Sequence, residues 1–109
     1  MKVHLNVSGQ DLSPSLRTLV EQHFRFAARP FRSAVQAIDV TLYDAGHAGA
    51  GATKHCEAQL HLRDGRTVTI QRQDGRAEYA VQQVAERIHR SLRSLRDRRR
   101  ERSSLSTVG

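Results

Sequence analysis

The amino-acid sequence predicts an α+β fold in two layers, of order β-α-β-β-β-α: a four-stranded sheet with two helices packed on one face. Three observations predict it. Four short segments alternate apolar and polar residues, two longer ones repeat apolar residues at helical spacing, and each has a single apolar face. Such elements bury those faces by packing in layers around one core. The chain of 109 residues is long enough for one such core. No internal repeat divides it.

Residues 2–8 alternate, with Val3, Leu5 and Val7 on one face and Lys2, His4 and Asn6 on the other. This predicts a half-buried strand, broken by Gly9-Gln10-Asp11. Ser13-Pro14 reads as a helix start, because serine accepts an orphan backbone N–H and proline is tolerated at the first helical position. Leu16, Leu19, Val20, His23, Phe24 and Ala27 then make one helical stripe, with Arg17, Glu21, Gln22 and Arg25 outside it. The helix is expected to stop before Pro30, since the residue ahead of a proline leaves helical geometry. His23, mid-stripe, reads as a packed, hydrogen-bonded histidine.

A second strand is expected over 35–43, with Ile38, Val40 and Leu42 on one face. The glycine-alanine stretch 44–52 reads as a hairpin connection. It lacks the Lys-Ser/Thr and following helix of a phosphate-cradling loop. Over 53–63, Cys56, Ala58, Leu60 and Leu62 oppose His55, Glu57, Gln59, His61 and Arg63. Asp64-Gly65 marks a tight turn. Val68 and Ile70 then oppose Thr67, Thr69 and Gln71 in a fourth strand, which Asp74-Gly75 ends. A long helix is expected from about Arg76 to Arg98 or beyond, with Val81, Val84, Ala85, Ile88, Leu92 and Leu95 as its stripe. Residues 1–100 are read as one domain, and the polar stretch 101–109 as a disordered C-terminal tail.

The charge is the first functional clue. Eighteen basic residues against eleven acidic ones give a net +7, and the surplus is uneven. Residues 76–102 hold nine arginines against four acids, whereas the rest of the chain has nine basic and seven acidic residues. One helix-length segment therefore carries most of the field, and such a segment attracts polyanions. Helical periodicity turns Arg76, Arg87, Arg90, Arg93, Arg98 and Arg100 away from the apolar stripe and leaves Arg96 at its edge. Arg99 extends the run. Like charges so arranged repel one another, and an external anion relieves that. Tyr79 projects from the outward side, where it either stacks on a base or covers the helix start.

Other chemistry has little support. His55 and His61 share a strand face but are about 20 Å apart in extended chain, and Cys56 points the opposite way. No CxxC or HExxH spacing occurs. No metal and no cofactor are therefore expected. No serine sits in a strand-to-helix elbow, and an inward cysteine is inert, so an enzyme is not expected, nor a small-molecule substrate. No apolar run approaches the ~20 residues of a membrane span. The N-terminus lacks the apolar region of a signal peptide, and one cysteine forms no internal disulfide. A cytoplasmic location is the expectation, with no membrane partner.

The segment LNVSGQDLSPSLRTLVEQHFRFAARPF resembles the opening of the hibernation-promoting factor and ribosome-associated translation inhibitor family, whose short forms are also described as sigma-54 modulation proteins. The residues that carry the resemblance are Gly9, Ser13, Leu16-Arg17, Val20, Phe24 and Phe31. The element order and the basic second helix match too, over roughly residues 2–100. The resemblance implies a monomeric domain that binds the small ribosomal subunit and its ribosomal RNA. There it would occlude the messenger and transfer RNA channel under stress or in stationary phase. By position it implies RNA contacts at Arg25, Arg87, Arg90 and Arg96, which join Arg93, Arg98, Arg99 and Arg100 from the charge pattern. The stretch RAEYAVQQV departs from the family's helix opening: Arg76 and Gln82 stand at acidic positions, Tyr79 falls one position late, and His23 replaces a basic residue.

Two other function classes fit the charge. A general double-stranded-RNA-binding module usually runs α-β-β-β-α, so the leading strand counts against it. A protein-interaction regulator of a transcription factor would turn the arginines toward an acidic partner.

Overall fold

The computed structural model describes residues 1–8, 14–44 and 54–108, apart from the side chains of Ser8, Asp44 and 99–108. The elements follow the expected order: β1 (Lys2–Ser8), α1 (Pro14–Ala28), β2 (Val35–Asp44), β3 (Lys54–Leu62), β4 (Thr67–Asp74) and α2 (Ala77–Val108). The capping serine expected at 13 and the glycine-alanine connection lie outside the described residues.

The strands lie side by side in chain order. β1 runs parallel to β2, and the other neighbours are antiparallel. A parallel neighbour needs a crossover, and α1 supplies it, whereas the antiparallel strands follow one another through short connections. The register stacks apolar residues in rows across the sheet. Val3 pairs with Ile38, Ile38 with Leu60 and Leu60 with Val68; the next row is Leu5, Val40, Ala58 and Ile70. Against these rows pack Val20, Phe24 and Ala27 of α1 and Val81, Val84, Ile88 and Leu92 of α2, all buried. The two helices touch each other and form the second layer.

β2 departs from simple alternation. Val35 pairs with Leu62 but Ala37 pairs with His61, so Gln36 is an extra residue in the ladder. A bulge of this kind shifts the side-chain parity by one. It lets Val35 and Ile38, three residues apart, both enter the core.

The β3–β4 turn closes as Asp64-Gly65 predicts. Gly65 N–H donates to the Leu62 carbonyl at 3.0 Å, and Asp64 accepts from the Arg66 backbone N–H, also at 3.0 Å. Gly65 adopts φ +95°, a region that side chains disfavour.

α1 ends at Ala28 as expected, but the chain does not leave the helical path there. Arg29–Phe31 form a single 3-10 turn with Pro30 in its first positions, where no N–H is needed. That extra turn carries Phe31 back into the core. α2 runs on to Val108. The stretch 99–108 holds no proline or glycine to stop a helix, although the apolar stripe has already ended at Leu95.

Candidate nucleic-acid interface

The two faces of the molecule use their polar groups differently. On the open face of the sheet several of them pair with one another. His61 Nε2 lies 2.8 Å from Asp39 Oδ2, Gln71 Nε2 donates to Glu57 Oε1 at 3.1 Å, and the Tyr43 ring stacks on His55 with centroids 4.9 Å apart. Among the described residues no three potential metal ligands gather. His23, expected to be hydrogen-bonded, is half-buried and makes no such bond among the described residues.

The helical layer is different. Arg87, Arg90, Arg93 and Arg98 of α2 are exposed, as is Arg25 of α1. Glu86 stands four residues before Arg90 and Asp97 four after Arg93, the spacing of helical ion pairs. Yet among the described residues none of these arginines meets an acid. Their charge faces water uncompensated. The side chains of Arg99 and Arg100 lie outside the described residues.

Arg96 is placed otherwise. α2 meets α1 along a flank marked by His89, whose Nδ1 donates to the Ala27 carbonyl at 3.1 Å and whose ring meets Phe31 edge-on at 5.5 Å. A carbonyl oxygen only accepts, so that nitrogen carries the proton. Seven residues on, Arg96 shares this flank, and its guanidinium lies 4.9 Å from the centre of the Phe31 ring. Arg96 therefore clasps the two helices while keeping donors exposed.

The start of α2 is held by Asp74. Its carboxylate accepts from the Arg76 backbone N–H at 3.2 Å and from Gln83 Nε2 at 3.1 Å, placing a negative charge where the helix dipole favours one. Tyr79 is 48% exposed, with the Arg76 guanidinium 5.6 Å from its ring centre.

Three residues of this layer were not singled out from sequence: Phe26, Arg29 and Arg32. Phe26 is 80% exposed and lines a depression with both arginines. The signal was available: Phe26 falls outside the helical stripe through Val20, Phe24 and Ala27.

Cys56 offers no nucleophile. It is fully buried, and burial pushes its thiol up to about 12. Native protein is expected to resist iodoacetamide at mildly alkaline pH, and unfolded protein to react completely. Rapid labelling of native protein would show the thiol to be reachable. The folded state holds this proton more tightly than the unfolded one. Its contribution to stability is thus complete below pH 9.0 and is lost as pH rises from there toward about 12.

Comparison with known proteins adds to this geometry. Residues 4–100 match the family described as Sigma 54 modulation protein / S30EA ribosomal protein. No curated protein sequence matches significantly. Several solved structures share the fold, two of them as follows. A ribosomal subunit interface protein from Coxiella burnetii is 21% identical, with a TM-score of 0.71 over 89% of this chain and 99% of that one. The N-terminal domain of Protein Y from Thermus thermophilus is 19% identical, also with a TM-score of 0.71, over 87% of this chain and 99% of that one.

Proposed function

The chain belongs to the Sigma 54 modulation protein / S30EA ribosomal protein family, and from that premise we propose that it is a ribosome-associated translation inhibitor of the hibernation type. It binds small-subunit ribosomal RNA through the outer surface of its two helices. There it occludes the messenger and transfer RNA channel under stress or in stationary phase. It acts in the cytoplasm, as a monomer when free, by steric exclusion and phosphate contact without covalent chemistry. Arg25, Arg87, Arg90, Arg93, Arg96, Arg98, Arg99 and Arg100 supply the contacts, and Tyr79 supplies a stacking surface.

One observation carries this reading: among the described residues, the arginines on the outer side of α2 form no ion pair with an acid. Arginine forks suit phosphate oxygens. A solvated helix surface with no target would gain from pairing these charges with Glu86 and Asp97, which stand within reach in sequence. The name of one structurally similar protein, the ribosomal subunit interface protein from Coxiella burnetii, points to the same place. The general double-stranded-RNA module is disfavoured by β1, which is an integral strand of the sheet.

Sedimentation with purified ribosomal subunits across a salt series tests the proposal. The protein is expected to travel with the small subunit at low salt. If about five phosphates are contacted, a fourfold rise in salt should weaken binding roughly a hundredfold, because each contact displaces a counterion. Protein that stays at the top of the gradient at low salt would overturn the ribosomal reading.

A further inference from the structure

The depression on α1 is a second surface whose chemistry differs from that of α2. Part of its lining is apolar: Phe26, Leu19 and Met1, with His23 and Gln22 among them. Phe26 is more exposed than any other large apolar side chain among the described residues. Leu19, His23 and Phe26 recur at helical spacing, so α1 carries a second stripe beside the one that enters the core. The rest of its lining is cationic: Arg25, Arg29 and Arg32. Among the described residues Arg25 and Arg29 meet no acid, and the Arg32 side chain makes one bond, to the Arg29 carbonyl at 3.2 Å.

The occupant must match a flat aromatic ring set among guanidinium groups. A second copy of this chain does not, because its own arginines would be brought against these on a molecule already at net +7. A duplex does not, because stacked base pairs hide their faces. Single-stranded RNA does: an unstacked base lies on the ring, and the flanking phosphates reach the arginines. We propose that Phe26 is a base-stacking platform for an unpaired nucleotide, with Arg25, Arg29 and Arg32 holding the adjoining phosphates. This deepens the RNA-binding reading above. Because its test uses free oligonucleotide, either can fail without the other.

The experiment is an anisotropy titration of a dye-labelled single-stranded RNA of roughly eight nucleotides, within the footprint of such platforms. It uses the intact chain and the variants Phe26→Ala, Phe26→Tyr and Phe26→Leu. The ring is exposed, so all should fold, and thermal melts verify this. Phe26→Ala is expected to lose about tenfold in affinity, the usual worth of one stacked base. Phe26→Tyr should keep wild-type affinity, and Phe26→Leu, apolar but without a π-face, should not. On a strand of equal charge lacking bases, all four proteins should bind alike. The platform is overturned if the wild type does not bind the RNA, or if Phe26→Ala binds as well. It is also overturned if Phe26→Leu matches the wild type, which would make the depression an apolar dock for a peptide or lipid. Retained small-subunit sedimentation alongside any of these failures would leave the ribosomal reading standing.

Discussion

Replacing Arg90 and Arg93 together by glutamate is expected to weaken small-subunit binding at least a hundredfold while leaving the protein folded. Both side chains are exposed and neither meets an acid in the free protein, so the folded state loses no contact. Each change removes an attraction to phosphate and adds a repulsion. The cost in stability is small but has a definite source. The introduced glutamates stand four residues from Glu86 and from Asp97, and like charges at that spacing cost about 0.2–0.5 kcal/mol each. A thermal melt should therefore fall by only a few degrees, while gradient sedimentation shows the protein free of the subunit. Replacing the same two arginines by alanine removes the attraction without the repulsion and should give an intermediate loss. Undiminished binding of the glutamate variant would move the contact away from this part of α2.

Phe31→Ala and Phe26→Ala remove the same side chain five residues apart and should have opposite consequences. Phe31 is 5% exposed, and it is the platform under both His89 and Arg96. Its loss leaves a cavity where α1 meets α2 and should cost about 3–5 kcal/mol. That is a large share of the ~5–15 kcal/mol that holds a domain of this size together. The urea midpoint should fall accordingly. Phe26 is 80% exposed, and its removal should shift stability by no more than ~0.5 kcal/mol. A mild effect of Phe31→Ala would show that the helices are joined elsewhere.

The order of elements was legible because each has one apolar face and the faces repeat at different periods. The period breaks down at β2. Val35 and Ile38 have opposite parity, and only the extra residue at Gln36 reconciles them, a feature set by the partner strand and not by local pattern. The 3-10 turn after α1 was hidden for a related reason: Pro30 forbids a regular helix to pass through it but permits a tighter turn to begin there. The extent of α2 beyond Arg98, which the expectation left open, follows from the absence of helix breakers and not from apolar periodicity.

At the proposed interface, the outward direction of Arg87, Arg90, Arg93 and Arg98 was legible because the stripe of α2 sets every other direction on it. Arg96 was readable only as an edge position. Its place over Phe31 depends on a residue far upstream, brought near by the docking of α1 on α2. Phe26 lies between Phe24 and Phe31, both core residues, and only its place off the stripe of α1 separates the aromatic that is offered from the two that are buried.

The pairing of α1 with α2 also sets an order of events at synthesis. The meander β2–β3–β4 joins neighbours in sequence and can assemble as it is made. β1 and α1 are translated first, yet β1 has no partner until β2 exists, and the apolar stripe of α1 has no complete cover until His89, Leu92 and Arg96 have been added. The N-terminal third of the molecule therefore waits, exposed, for its last helix. Substitutions that make Val20, Phe24 or Phe31 more adhesive would be felt first by the nascent chain, as aggregation, before they changed anything in the finished protein.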